Sequence, residues 1–81
     1  MSVSIEFLGM QRMATEKNTM AMPVTNGTKV KDAIEYVRQQ YPALLLDEKT
    51  MVVMVNHKTA SLNTVLRDDD TVSFLPMIGG G

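Results

Sequence analysis

"TKVKDAIEYVRQQYP", residues 28–42, carries the clearest helical pattern in the chain and decides how the rest is arranged. Val30, Ala33, Ile34, Val37 and Tyr41 recur at steps of three and four, so they fall on one stripe of a helix. Lys31, Glu35 and Arg38 fall opposite. Asn26-Gly27 breaks the preceding segment, and Thr28 stands where an N-cap belongs. Tyr41 precedes Pro42, a position that disfavours helical geometry and ends the run. The spacing predicts one helix over 29–41, about 20 Å long at ~1.5 Å per residue.

On either side of this helix the period changes to two. Val3, Ile5 and Phe7 alternate with Ser2, Ser4 and Glu6, a half-buried strand that stops at Gly9. Met20, Met22 and Val24 then share one face of a second strand, and Pro23, which cannot donate to a ladder, places it at an edge. The two are near in sequence and predict an antiparallel hairpin, with residues 10–18 as a loop containing at most one helical turn. Beyond the helix, "MVVMVN" (51–56) reads as a valine-rich strand that turns through Asn56, His57 and Lys58. Leu62 and Leu66 are isolated apolar anchors, Asp68 to Asp70 make a turn, and "TVSFL" (71–75) is a last strand. A hairpin, one helix, then more strands gives an α+β sheet with the helix across one face and the terminal strand central, parallel to the first. This is the ubiquitin-like β-grasp arrangement, with four to five strands in a mixed sheet.

Composition limits what such a domain does. Eighty-one residues make a single domain, 1–81, with a flexible tail expected over 76–81. There is no cysteine, so disulfides and thiolate metal sites are excluded, which suits the cytoplasm. Net charge is −1 with scattered basic residues, leaving no footprint for nucleic acid. No apolar run approaches the ~20 residues of a membrane span, and the first residues do not read as a signal peptide. Eight methionines exceed expectation and read first as core filler, with an adaptable binding surface as the alternative.

The folded body offers no self-contained catalytic constellation. His57 is the single histidine, sits in a turn, and has no nucleophile with a supporting signature beside it. Asp68 to Asp70 are adjacent on a tight turn and point in different directions, which suits solvent better than a hard cation. Attention passes to the tail, "FLPMIGGG" (74–81). A terminal carboxyl has a pKa near ~3.5, is ionised at neutral pH, and reacts only after activation. Glycine lacks Cβ, so Gly80 and Gly81 can enter a narrow channel, while Pro76 stiffens the exit from the sheet.

Residues 55–81, "VNHKTASLNTVLRDDDTVSFLPMIGGG", closely resemble the C-terminal part of the small subunit of molybdopterin synthase. That family is typified by a V-N turn, a leucine before an acidic "D-G-D-x-V" turn, and an ending of the form F-x-P-P-V-x-G-G. Val55-Asn56, Leu66, Asp68 to Asp70 with Val72, and Phe74, Pro76, Ile78, Gly80 and Gly81 match it. The first strand leading to Arg12 and the helix beginning near Thr28 extend the similarity over the whole chain. Met77 replaces the second proline and Asp69 the turn glycine. The thiamine-pathway carriers end similarly but are shorter and usually lack the proline at position 76.

The resemblance implies a sulfur carrier. An ATP-dependent, ubiquitin-activating-type enzyme would adenylate Gly81, and a sulfur donor such as a cysteine desulfurase or rhodanese would supply the thiocarboxylate. The large synthase subunit would use that sulfur to build the dithiolene of molybdopterin. On this reading Gly79, Gly80 and Ile78 thread into the partner, and the chain binds no cofactor or metal itself, ATP being used by the activating partner. Phe74, Leu75, Pro76, Met77 and Met54 are the candidate docking residues, although alternation forbids Phe74 and Leu75 from sharing a face. Carriers for thiamine, tungsten cofactor, cysteine or tRNA thiolation, a ubiquitin-like protein modifier, and a non-covalent adaptor with an inert tail remain as alternatives.

Overall fold

Each alternating stretch forms a strand in the structure, a computed structural model that describes residues 1–44, 46–47 and 49–76. In chain order the elements are β1 (Ser2–Glu6), α1 (Met10–Thr15), β2 (Thr19–Pro23), α2 (Val30–Gln40), β3 (Met51–Val55), β4 (Lys58–Thr59) and β5 (Thr71–Pro76). The strands form one mixed sheet in the order β2-β1-β5-β3-β4. β1 pairs antiparallel with β2 and parallel with β5, placing the last strand in the centre as the pattern requires. β5 pairs antiparallel with β3 over five registers, from Met51↔Pro76 to Val55↔Val72. β2 is an edge, which is where Pro23 is tolerated.

The core lies between the sheet and α2. Val3, Ile5 and Phe7 from β1, Val72 and Phe74 from β5, and Val30, Ala33, Ile34 and Val37 from α2 are buried together. Leu66 is buried as an anchor, whereas Leu62 is 37% exposed and is not. Tyr41 lies edge-on to Phe7, ring centroids 5.8 Å apart, closing the core beneath the C-terminus of the helix. The methionines divide: Met22 and Met51 fill the core, while Met10 and Met13 are 80% and 76% exposed.

Two local expectations change. α2 begins at Val30, and Thr28 does not cap it; the Thr28 hydroxyl accepts the Thr25 N–H at 3.0 Å and holds the Asn26-Gly27 turn. The first helical N–H groups are satisfied from outside instead, Val30 donating to the Thr64 carbonyl and Lys31 to the Leu62 carbonyl, each at 3.0 Å. Residues 62–66 thus cross the start of the helix, and Asp32 adds a carboxylate acceptor for the Lys29 N–H at 2.8 Å. The segment after β1, expected as a loop with room for one helical turn, is helical over six residues, α1. It follows Gly9 at φ 54° and ends at Glu16 in the left-handed region, φ 59°.

Candidate functional site

The site is assembled at the end of β5. β1 pairs with β5 only as far as Glu6↔Ser73, so the Phe74 carbonyl extends past the end of its parallel neighbour. The side chain of Gln11, from α1, takes the missing strand's place and donates to that carbonyl at 2.9 Å. On the other edge β3 stays paired through Met51↔Pro76. Pro76 is therefore the last residue of β5. Met77, Ile78, Gly79, Gly80 and Gly81 lie outside the described residues. Nothing in the sequence pattern marked Gln11.

The start of β5 is fixed by a second set of contacts. Asn56 Nδ2 donates to Asp70 Oδ1 at 2.8 Å, Asn56 Oδ1 accepts the Thr71 N–H at 2.9 Å, and the Asn56 N–H donates to the Thr71 carbonyl at 2.8 Å. Asp68 Oδ1 accepts the Ser2 N–H, while Asp70 Oδ2 accepts the Arg67 N–H, both at 2.8 Å. Asp68 and Asp70 thus accept from backbone donors of β1 and of their own loop and from the Asn56 side chain. Among the described residues no cluster of His, Cys, Asp or Glu is placed to hold a metal ion. Asn56 and His57 have φ of 52° and 67°, the two left-handed residues of a type I′ turn joining β3 to β4. His57 is an exposed turn residue with no side-chain partner in catalytic geometry.

The strand directions divide the docking candidates. Phe74 faces α2 and is wholly buried, so it is a core residue and not a docking one. Leu75 points to the opposite, outer face, where it lies across from Val52, and Met54 lies across from Ser73 in the next row. Val52, Met54 and Leu75 are half-buried, an apolar patch on a sheet face that no described helix covers. Beside the exit of β5, α1 and the α2–β3 connection enclose a groove of about 650 Å³ lined by Leu8, Met10, Ala14, Ala43 and Leu44.

A mixed five-stranded sheet grasping one main helix, with its central strand tied by side-chain hydrogen bonds from Gln11 and Asn56, defines a ubiquitin-like β-grasp protein. The family model of the ThiS family matches residues 5–81, and the chain belongs to that family. It is 34% identical over 80 residues to the molybdopterin synthase sulfur carrier subunit of Mycobacterium tuberculosis, covering 98% of this chain and 96% of that one. The fold is similar to small archaeal modifier protein 1 of Haloferax volcanii, with a TM-score of 0.83, 19% identity and full coverage of both chains. It is also similar to a chain in the complex of subunits 1 and 2 of the molybdopterin-converting factor from Helicobacter pylori, with a TM-score of 0.66, 23% identity and full coverage of both.

Proposed function

We propose that this chain is a sulfur carrier, the small subunit of a molybdopterin synthase, whose Gly81 carboxylate is converted to a thiocarboxylate. The observation that carries this reading is the relationship to the Mycobacterium sulfur carrier subunit across 98% of the chain, with the family match running to Gly81. In the first step the carboxylate oxygen attacks the α-phosphate of ATP and pyrophosphate leaves, giving a mixed anhydride with AMP. The terminal sulfur of a donor persulfide then attacks the same carbonyl carbon and AMP leaves, and a thiol of the donor's machinery reduces the resulting acyl disulfide, freeing the thiocarboxylate and becoming part of a disulfide itself. Sulfur is softer and less tightly hydrated than oxygen, so the thiocarboxylate is the better nucleophile towards the pterin precursor. ATP and the donor persulfide belong to partners; this chain's contribution is a body that docks and an end that reaches.

The docking face is the bare outer side of the sheet, centred on Leu75 and Met54, next to the strand end from which the tail departs. A contiguous apolar patch on so small a surface fits a protein interface. The Helicobacter neighbour, bound to a second subunit, supports a large-subunit partner for this chain. Gly79, Gly80 and Ile78 would then thread into that subunit, with Met77 and Pro76 at the rim. Intact-mass spectrometry of protein isolated from its own cells tests the reading: a fraction must carry the mass gained when one sulfur replaces one oxygen. Isopeptide-linked conjugates without that species would identify a protein modifier instead, and a cell lacking the chain that still makes molybdopterin would exclude this pathway.

A further inference from the structure

One charge stands at the border of the apolar outer face. Glu6 ends β1, and the registers place it in a row with Ser73 and Met54, one step from the row of Leu75 and Val52. The other outward strand positions are Ser2 and Ser4, Thr19, Ala21 and Pro23, Val52 and Met54, Thr59, and Thr71, Ser73 and Leu75. Glu6 is therefore the one charged residue that the described strands turn to this face. Its side chain is half-buried, and it makes no ion pair or hydrogen bond with any described residue. Ser73 beside it is only 3% exposed.

An isolated carboxylate at the rim of a docking patch is costly to cover. A partner that buries it removes its water, and the loss is offset only by a cation with good geometry. We infer that Glu6 selects the partner: the surface that covers this face presents a guanidinium or ammonium group to Glu6 among apolar side chains that meet Leu75, Met54 and Val52. This rests on the carrier reading, and the partner is the large subunit of molybdopterin synthase. An arginine fits best, since its fork can engage both carboxylate oxygens while its plane packs against apolar neighbours. A surface with an acidic or purely apolar centre is rejected, so the same face that holds the correct subunit discriminates against others.

The test measures binding of the full chain to the large subunit of the same organism, by titration calorimetry and by association rate against salt. Glu6→Gln should weaken binding about ten-fold or more and flatten the salt dependence of association, because charge pairs set steering as well as affinity. Glu35→Gln, on the helix side, should stay within about two-fold of the unaltered chain, as expected for an exposed pair outside the interface. Leu75→Asp should abolish binding, and Glu6→Gln should unfold at the unaltered chain's temperature. Unchanged or tighter binding by Glu6→Gln, with Leu75→Asp still inactive, overturns this inference and leaves the docking face standing. Weaker binding with an unchanged salt slope also overturns it, by giving Glu6 a packing role. Failure of the unaltered chain to bind overturns the carrier reading with it.

Discussion

Replacing Asn56 with alanine should cost about 2–3 kcal/mol of stability, the sum of two hydrogen bonds and one backbone conformation. The side chain donates to Asp70 Oδ1 at 2.8 Å and accepts from the Thr71 N–H at 2.9 Å. Both bonds lie at an exposed turn, so each is taken near the lower part of its range, together about 1–2 kcal/mol. Asn56 also sits at φ 52°, where alanine meets a steric penalty of about 1 kcal/mol that asparagine largely avoids. For a domain of this size the total lowers the melting temperature by about 10–20 °C. The assay is urea and thermal unfolding followed by circular dichroism, with Asn56→Gly as the partner variant. Glycine keeps the conformation and loses the bonds, so it should be milder than alanine by about 1 kcal/mol. A loss below ~0.5 kcal/mol for Asn56→Ala, or equal losses for both variants, would refute the reasoning.

Asp69 has φ 68° and no side-chain hydrogen bond, while its backbone N–H reaches the Ser2 carbonyl at 2.8 Å; Asp69→Gly should therefore gain about 0.5–1 kcal/mol in the same unfolding assay. Phe74→Ala should cost about 3–5 kcal/mol and leave little folded protein, whereas Leu75→Ala should cost far less and weaken partner binding instead. Gln11→Ala should cost about 1 kcal/mol and accelerate amide exchange at the end of β5, with the other end held by Asn56 unaffected. One residue added after Gly81 should abolish sulfur loading, and Gly79→Ala should be tolerated; both are read by intact mass after incubation with the activating enzyme, ATP and a sulfur donor.

Residues with a period were legible and residues defined by partners were not. The stripe from Val30 to Tyr41 and the alternation around Ile5, Met22 and Phe74 fixed the helix, the strands and the inward faces, because burial imposes those periods directly. Pro23 located an edge because its missing donor is a local property. α1 was hidden: six residues carry too little periodicity, and its place depends on Gln11 reaching a carbonyl 63 residues away. Thr28 had the right chemistry for a cap, but carbonyls from residues 62 and 64 occupied the helix start first, a contact no local pattern encodes. Alternation required Phe74 and Leu75 to part, and only the sheet's packing showed which one faced α2.

The central place of β5 has a consequence for how the protein is made. Every other described element leaves the ribosome before it, yet β1 and β3 cannot join into one sheet until β5 lies between them. The contact from Ser2 to Asp68 spans 66 residues, so closing it carries a loop-entropy cost that is recovered only when the strand arrives. The outer face, built from β1, β3 and β5 together, does not exist on a partial chain. A chain cut short before residue 71 would lack this face. On the proposed reading, the face a partner would cover forms only once residues 71–76 have been made, so docking follows folding of the sheet and not of the hairpin alone.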